Sequence, residues 1–173
     1  MSSVHRTPIP ENALLRPYCT GGSYADCYSA EVAHPVPEAA LVEAFYTTRL
    51  FKVERALLKW FAGLVSTDEQ AREFAAGTRS SFAAWHVEAR DVDQLLVRAG
   101  RTRSWFMVVP DLGGSGTRLY FGSAVVARSN GRTGKPELGF VFHALLGFHK
   151  VYSRALLAAA KARVLAEGKD APA

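Results

Sequence analysis

Four short runs between residues 85 and 128 alternate apolar with polar side chains, and this period of two restricts the fold more than any other feature. Trp85, Val87 and Ala89 alternate with His86, Glu88 and Arg90. Leu95, Val97 and Ala99 alternate with Leu96 and Arg98, and Trp105, Met107 and Val109 alternate with Phe106 and Val108. A fourth run, 117–128, puts Leu119, Phe121, Ser123 and Val125 on one side. Turns at Asp91-Val92-Asp93, Gly100-Arg101-Thr102 and the Gly113–Gly116 loop set Val87 opposite Val97, Val97 opposite Trp105, and Met107 opposite Phe121. Trp85, Val97, Trp105, Met107, Leu119 and Phe121 then share one face, as a half-buried antiparallel sheet requires.

The remaining chain supplies what such a sheet packs against. Residues 23–32 alternate with Tyr24, Asp26, Tyr28, Ala30 and Val32 on one side, a strand with an aromatic face that His34-Pro35 ends. A helix spans 37–63 with a break near Tyr46-Thr47-Thr48, and its second part carries an apolar stripe of Val53, Leu57, Trp60 and Leu64. Thr67-Asp68-Glu69-Gln70 is a capping box for a short helix ending at Gly77. From Leu138 to Ala166 the pattern is helical, with Leu138, Val141, Phe142, Leu145, Phe148, Tyr152, Leu156 and Ala159 as the buried stripe and Lys150, Arg154 and Lys161 opposite. The expected organisation is a Pro-rich extended segment over 1–22, a single domain over 23–167 and a frayed tail over 168–173. The fold class is α+β: a curved antiparallel sheet around a long C-terminal helix.

The early YADCY segment, the RSWFMVVPD…TRLYFGSAVV hairpin and the LLGFHKVYSRALL helix resemble the helix-grip START/polyketide-cyclase-like (SRPBCC) superfamily, in particular its bacterial families of unknown function. The likeness covers residues 23–166, with fewer clear strands than the superfamily's usual six or seven. It implies a place between sheet and helix where lipids, sterols or polyketides are held, and in some members cyclase or hydrolase activity. A cone-shaped barrel of the nuclear-transport-factor type also puts helices before a curved sheet, but such chains end on a strand and this one ends on a helix.

At 173 residues, with 49% apolar and 21% charged side chains, the chain has the length and make-up of one globular domain. It has no apolar run of the roughly 18 residues a membrane span needs. Pro8, Pro10, Glu11 and Asn12 interrupt any signal-peptide core, so a cytoplasmic location is expected. Cys19 and Cys27 are read as free thiols, without a zinc-site pattern or any other metal or cofactor motif. Gly131-Arg132-Thr133-Gly134-Lys135 is too short for a phosphate loop, with Pro136 where Ser or Thr is needed. A net charge of +5 is modest, and no nucleic-acid partner is expected; the chain is read as a monomer or homodimer.

Three groups of candidate site residues follow. Asp26, between two phenols on the first strand, and His149, on the buried side of the last helix, are the candidate acid–base pair. Tyr24, Tyr28, Trp85, Trp105, Met107, Phe121, Phe148 and Tyr152 are the expected ligand-contacting wall. Arg101, Arg103, Arg128 and Arg132, with Arg98 and Lys135, gather at one end of the sheet as candidate anion binders. The leading reading is a binding domain for an apolar or amphipathic small molecule between sheet and C-terminal helix. The alternatives are a cyclase, hydratase or hydrolase using Asp26 and His149, and a protein-interaction domain without a cavity.

Overall fold

The computed structural model describes residues 3–111, 113, 115–129, 136–138 and 140–170, with the backbone alone at 129, 136–137, 140–146 and 169–170. In chain order the elements are β1 (His5–Arg6), a 3-10 turn (Arg16–Cys19), β2 (Tyr24–Val32), α1 (Glu38–Tyr46), α2 (Arg49–Ala62) and α3 (Asp68–Ala75). They continue with β3 (Ser81–Phe82), β4 (Trp85–Asp91), β5 (Gln94–Ala99), β6 (Thr102–Pro110), β7 (Thr117–Val125), β8 (Arg128–Ser129), β9 (Pro136–Glu137) and α4 (Phe140–Asp170). Strands β1 to β7 form one open antiparallel sheet in the order β1-β2-β7-β6-β5-β4-β3, and β8 and β9 pair separately. Helix α4 packs on β2 and β7, while α1 packs on β6 and against both α4 and α3. This is the α+β helix-grip arrangement, with more strands than the alternating runs alone display.

Local signals hold where they are chemically specific. The helix breaks at Thr47-Thr48, where the Thr48 hydroxyl accepts from Phe51 N and caps α2. Thr67 and Gln70 form the reciprocal capping box, and Gly77 follows α3 at a φ of 80°.

The register of β6 differs from the expected one by a single residue. Ala99 pairs with Thr102, so the β5–β6 turn holds only Gly100 and Arg101, with Gly100 at a φ of 57°. Leu96 therefore faces Trp105 and Val97 faces Ser104. On the other side Phe106 faces Phe121 and Met107 faces Tyr120. A one-residue slip turns every side chain to the other face. Phe106 and Val108 join Trp85, Val97, Leu119 and Phe121 on the inner face, and Trp105 and Met107 lie on the outer one. The β4–β5 pairing survives because two departures cancel. Its turn is also one residue shorter than expected, and a bulge between Val87 and Ala89 restores Val87 opposite Val97.

The outer face is not left to water. The first 22 residues do more than lie on the surface: Ala13 and Leu15 join Cys27, Leu96, Trp105, Met107, Tyr120 and Ala124 in a second core. Gln94 ties the segment down, accepting from Leu14 N (3.0 Å) and Trp105 Nε1 (2.9 Å) and donating to Asn12 O (3.1 Å). Leu15 sits over Gly122, where a Cβ would meet Leu15 Cδ2 at 2.8 Å and Trp105 Cε3 at 2.9 Å. A side chain at 122 would expel one of them. Since Leu15 is wholly buried, Leu15→Ala is expected to cost about 2–5 kcal/mol in urea unfolding. A segment resting loosely on the sheet would lose less than about 0.5 kcal/mol.

Candidate functional site

Strand parity and helix spacing bring the candidate acid–base pair together. Asp26 and Ser123 are direct cross-strand partners on the inner face of β2 and β7. His149 descends on them from α4. Ser123 Oγ donates to Asp26 Oδ1 (2.8 Å) and lies 2.7 Å from His149 Nε2. The other carboxylate oxygen, Oδ2, accepts from Tyr24 OH (2.8 Å), and His149 Nε2 stands 4.0 Å from Asp26 Oδ1. The Asp26 side chain is fully buried and that of His149 is 25% exposed, so the chain of bonds runs from the interior to an accessible imidazole. Burial, followed by the hydrogen bond to Asp26 and its charge, pushes the Tyr24 hydroxyl far above its ordinary range. Tyr28 is raised by the same burial and by the Asp26 charge.

The order of the groups determines what they can do. Ser123 has one hydroxyl proton, and Asp26 takes it, so His149 must donate from Nε2. In a nucleophilic triad the imidazole stands between carboxylate and hydroxyl. Here the hydroxyl stands between them. Ser123 is thus a relay that couples His149 to a buried charge, and the imidazole face beyond it is the chemically available end.

A second polar cluster lies between α1, α2 and α4. Tyr152 OH donates to Glu54 Oε2 (2.7 Å), and burial raises the Glu54 carboxyl while that bond opposes the rise. The buried Tyr46 hydroxyl has no hydrogen-bond partner, and it is raised by burial and then by the charge of Glu54. Ser123, Glu54 and Tyr46 were not singled out in the sequence. Ser123 had a signal, a hydroxyl at inward parity between Phe121 and Val125, whereas Glu54 and Tyr46 had none.

The expected aromatic wall is distributed differently. Trp85 packs against Tyr46, Phe51 and Phe82, with ring centroids 5.7, 4.9 and 6.2 Å away, and Phe121 against Phe45 (4.6 Å) and Phe106 (5.4 Å). These rings and the buried Tyr28 belong to the main core. Trp105 and Met107 are on the outer face for the register reason given above. Phe148 is 66% exposed, because the inner stripe of α4 runs through His149, Ser153, Leu156, Leu157 and Ala160 instead. Lys161, expected on the exposed side, is buried.

Two members of the arginine cluster, Arg101 and Arg103, are engaged within the chain. Arg101 donates to Val126 O (2.8 Å) and Leu138 O (3.4 Å), clamping the β5–β6 turn to the chain after β7. Arg103 packs over the Tyr18 ring (4.9 Å), with Nε 2.7 Å from Glu88 Oε2 in an ion pair whose N–H points off the contact. Arg98 and Arg128 are exposed, and Arg132 and Lys135 lie outside the described residues. Both cysteines are free, and burial, reinforced by the Asp26 charge, pushes the Cys27 thiol up to about 12. Among the described residues no three His, Cys, Asp or Glu side chains gather as a metal site, and no helix is long and apolar enough to cross a membrane.

Two cavities flank β2. One of about 600 Å³ opens between the β1–β2 end and the C-terminal half of α4, lined by Val4, Val32, Ala158, Ala162 and Leu165 with Glu31 and Lys161. Another, of about 400 Å³, lies where the N-terminal segment leaves β2, beside Arg6, Arg16, Tyr24 and Asp26.

No protein family matches the sequence, and no curated protein matches it. A solved structure, that of CalU16 from Micromonospora echinospora, aligns over 96% of this chain and 94% of that one at 14% identity, with a TM-score of 0.32. At that score the likeness carries no inference, and the fold assignment stands on strand order and helix placement.

Two outcomes test the site. Asp26→Asn removes a carboxylate that two hydroxyls share, so stability is expected to fall by about 1–3 kcal/mol. Nitrogen-detected NMR should find neutral His149 as the Nε2–H tautomer in the native protein; the Nδ1–H form would overturn the relay. For Glu54 the folded value lies above the unfolded one, so the native state carries a penalty at neutral pH that is relieved as pH falls through the folded value. Glu54→Gln keeps an acceptor for Tyr152 and is expected to match or exceed the native stability near pH 7, an advantage that disappears by about pH 4.

Proposed function

We propose that this chain binds an apolar or amphipathic small molecule between the sheet edge and the C-terminal helix. The observation that supports this most is the cavity of about 600 Å³ between β2 and α4, a volume within the usual range for small-molecule sites. Aliphatic side chains make up most of its lining, and Ser3, Glu31, Asp111 and Lys161 supply polar groups. That combination suits a ligand with an apolar body and one polar end, whose desolvation drives binding while the polar end fixes its orientation. No aromatic ring lines the cavity; Trp85 and Phe121 are packed in the core.

A second reading is supported by the bonded chain Asp26–Ser123–His149. A partly exposed imidazole coupled through a hydroxyl to a buried carboxylate is suited to moving a proton to or from a ligand hydroxyl or carbonyl. Such a role would make the domain an enzyme of hydratase or cyclase type, with His149 meeting the substrate and Asp26 and Ser123 positioning it.

Native mass spectrometry of the purified protein separates the readings. The binding reading expects a small molecule retained at one per chain and lost in Ala158→Trp, which fills the cavity from an exposed helix position. It also expects retention in His149→Gln. Retention by Ala158→Trp together with loss in His149→Gln would instead place the ligand at the polar chain.

A further inference from the structure

Helix α2 is amphipathic in the reverse sense to a core helix. Its buried side holds Phe51 and Arg55, whereas Val53, Leu57, Trp60 and Phe61 face solvent, Trp60 at 85% and Phe61 at 87% exposure. Three of the four residues of the helix's apolar stripe, Val53, Leu57 and Trp60, therefore lie on its outer face. On α4 the neighbouring Phe148 and Val151 are exposed as well. Tyr152 joins the two helices, stacking on Phe148 (5.6 Å) and donating to Glu54. Beyond this region and the adjoining Val65, the large apolar side chains exposed among the described residues are only Val92 and Val109. Concentration of this kind marks an interaction face.

The charges beside the patch indicate what it meets. Arg49 and Lys59 lie along the flank of α2, with Lys52 between them paired to Asp68 (2.5 Å), and Arg154 follows Val151 by three positions on α4 with Lys150 beside it. The acidic group within the patch, Glu54, is half-buried, bonded to Tyr152 and shifted toward its neutral form by burial. An apolar strip containing Trp and Phe with a lysine and arginine margin is the pattern of a helix that lies in a lipid interface. A second copy of the chain would set the same cations against one another across a two-fold axis, so the margin disfavours self-association through this face. From this geometry we infer that α2, with Phe148 and Val151 of α4, docks the protein onto an anionic lipid surface. The inference stands on the exposed patch and not on the cavity or the polar chain.

Trp60 is a built-in reporter, because Trp85 and Trp105 are buried. The protein is mixed with phosphatidylcholine vesicles, alone or with about one-third phosphatidylserine, and followed by tryptophan emission, acrylamide quenching and co-sedimentation. With anionic vesicles the emission is expected to shift to the blue, quenching to fall and the protein to sediment, and added salt to weaken all three. Trp60→Ser combined with Phe61→Ser should lower the bound fraction at least about tenfold with an unchanged unfolding curve, as should Arg49→Glu combined with Lys59→Glu, which leaves the apolar strip intact. Absence of binding to anionic vesicles would overturn the inference. So would a concentration-dependent dimer in lipid-free buffer that shields Trp60 from quenching, since the face would then belong to a second copy.

Discussion

The structure depends on the central strands β7 and β6 being buried on both faces. Gly122 makes this possible at the point of closest approach: with no side chain there, Leu15 and Trp105 close over the outer surface. The N-terminal segment then becomes a structural layer, and Gln94 satisfies Leu14 N and the Trp105 indole that this layer buries. Helix α1 fills the opposite face with Phe45 and Tyr46. With both surfaces sealed, the inward parity of β2 and β7 is fixed, and Asp26 has no direction but toward Ser123 and α4.

That double burial also explains how much of the fold was legible. Order and type of the longer elements followed from period and capping chemistry, because a capping box or a helix-breaking Thr-Thr acts locally, whereas the two-residue strands have no period to read. The register of β6 did not. Trp105, Phe106, Met107 and Val108 are all buried, so hydrophobicity cannot say which pair faces inward. The turn length decides it, and a two-residue turn with Gly100 at positive φ stands where the sequence predicts three residues. The site fared differently. Asp26 lies between Tyr24 and Tyr28 at a parity set by aromatic neighbours on an edge-proximal strand, and His149 lies at helical spacing from Leu156 and Tyr152. Those two signals survive an error in β6 because neither residue is on it. Glu54 and Tyr46 were illegible because their meeting depends on how three helices cross.

The polar chain has an energetic logic of its own. A carboxylate with a fully buried side chain is costly unless each oxygen is satisfied, and Asp26 meets this with Ser123 on one oxygen and Tyr24 on the other. Both partners come from residues already fixed by sheet pairing, Ser123 across the ladder and Tyr24 two positions along the strand. The sheet thus positions the carboxylate before α4 contributes anything. His149 adds a link to solvent and completes Ser123, whose hydroxyl donates to one neighbour and accepts from the other.

Helix α2 inverts the usual division of labour. Its attachment is both apolar and polar: Leu50, Phe51 and Leu58 pack against the core, and Arg55, buried, donates to Ser66 Oγ (2.9 Å), Ser66 O (2.7 Å) and Asp68 Oδ1 (2.6 Å) and lies 5.4 Å from the Phe82 ring. Phe51 adds ring contacts with Phe45, Tyr46 and Trp85. A helix held in this way does not need Val53, Leu57, Trp60 or Phe61 for its place in the fold. An amphipathic period identifies a helix with an apolar side; it does not say which side meets the protein. Here Arg55 and Phe51 mark the side that meets the protein, and removing the guanidinium from its three acceptors would leave the carbonyl and carboxylate oxygens it serves without that partner. The same clamp leaves the apolar face outward, with cations on its flank, at the junction with α4 and within a few residues of His149 and Tyr152.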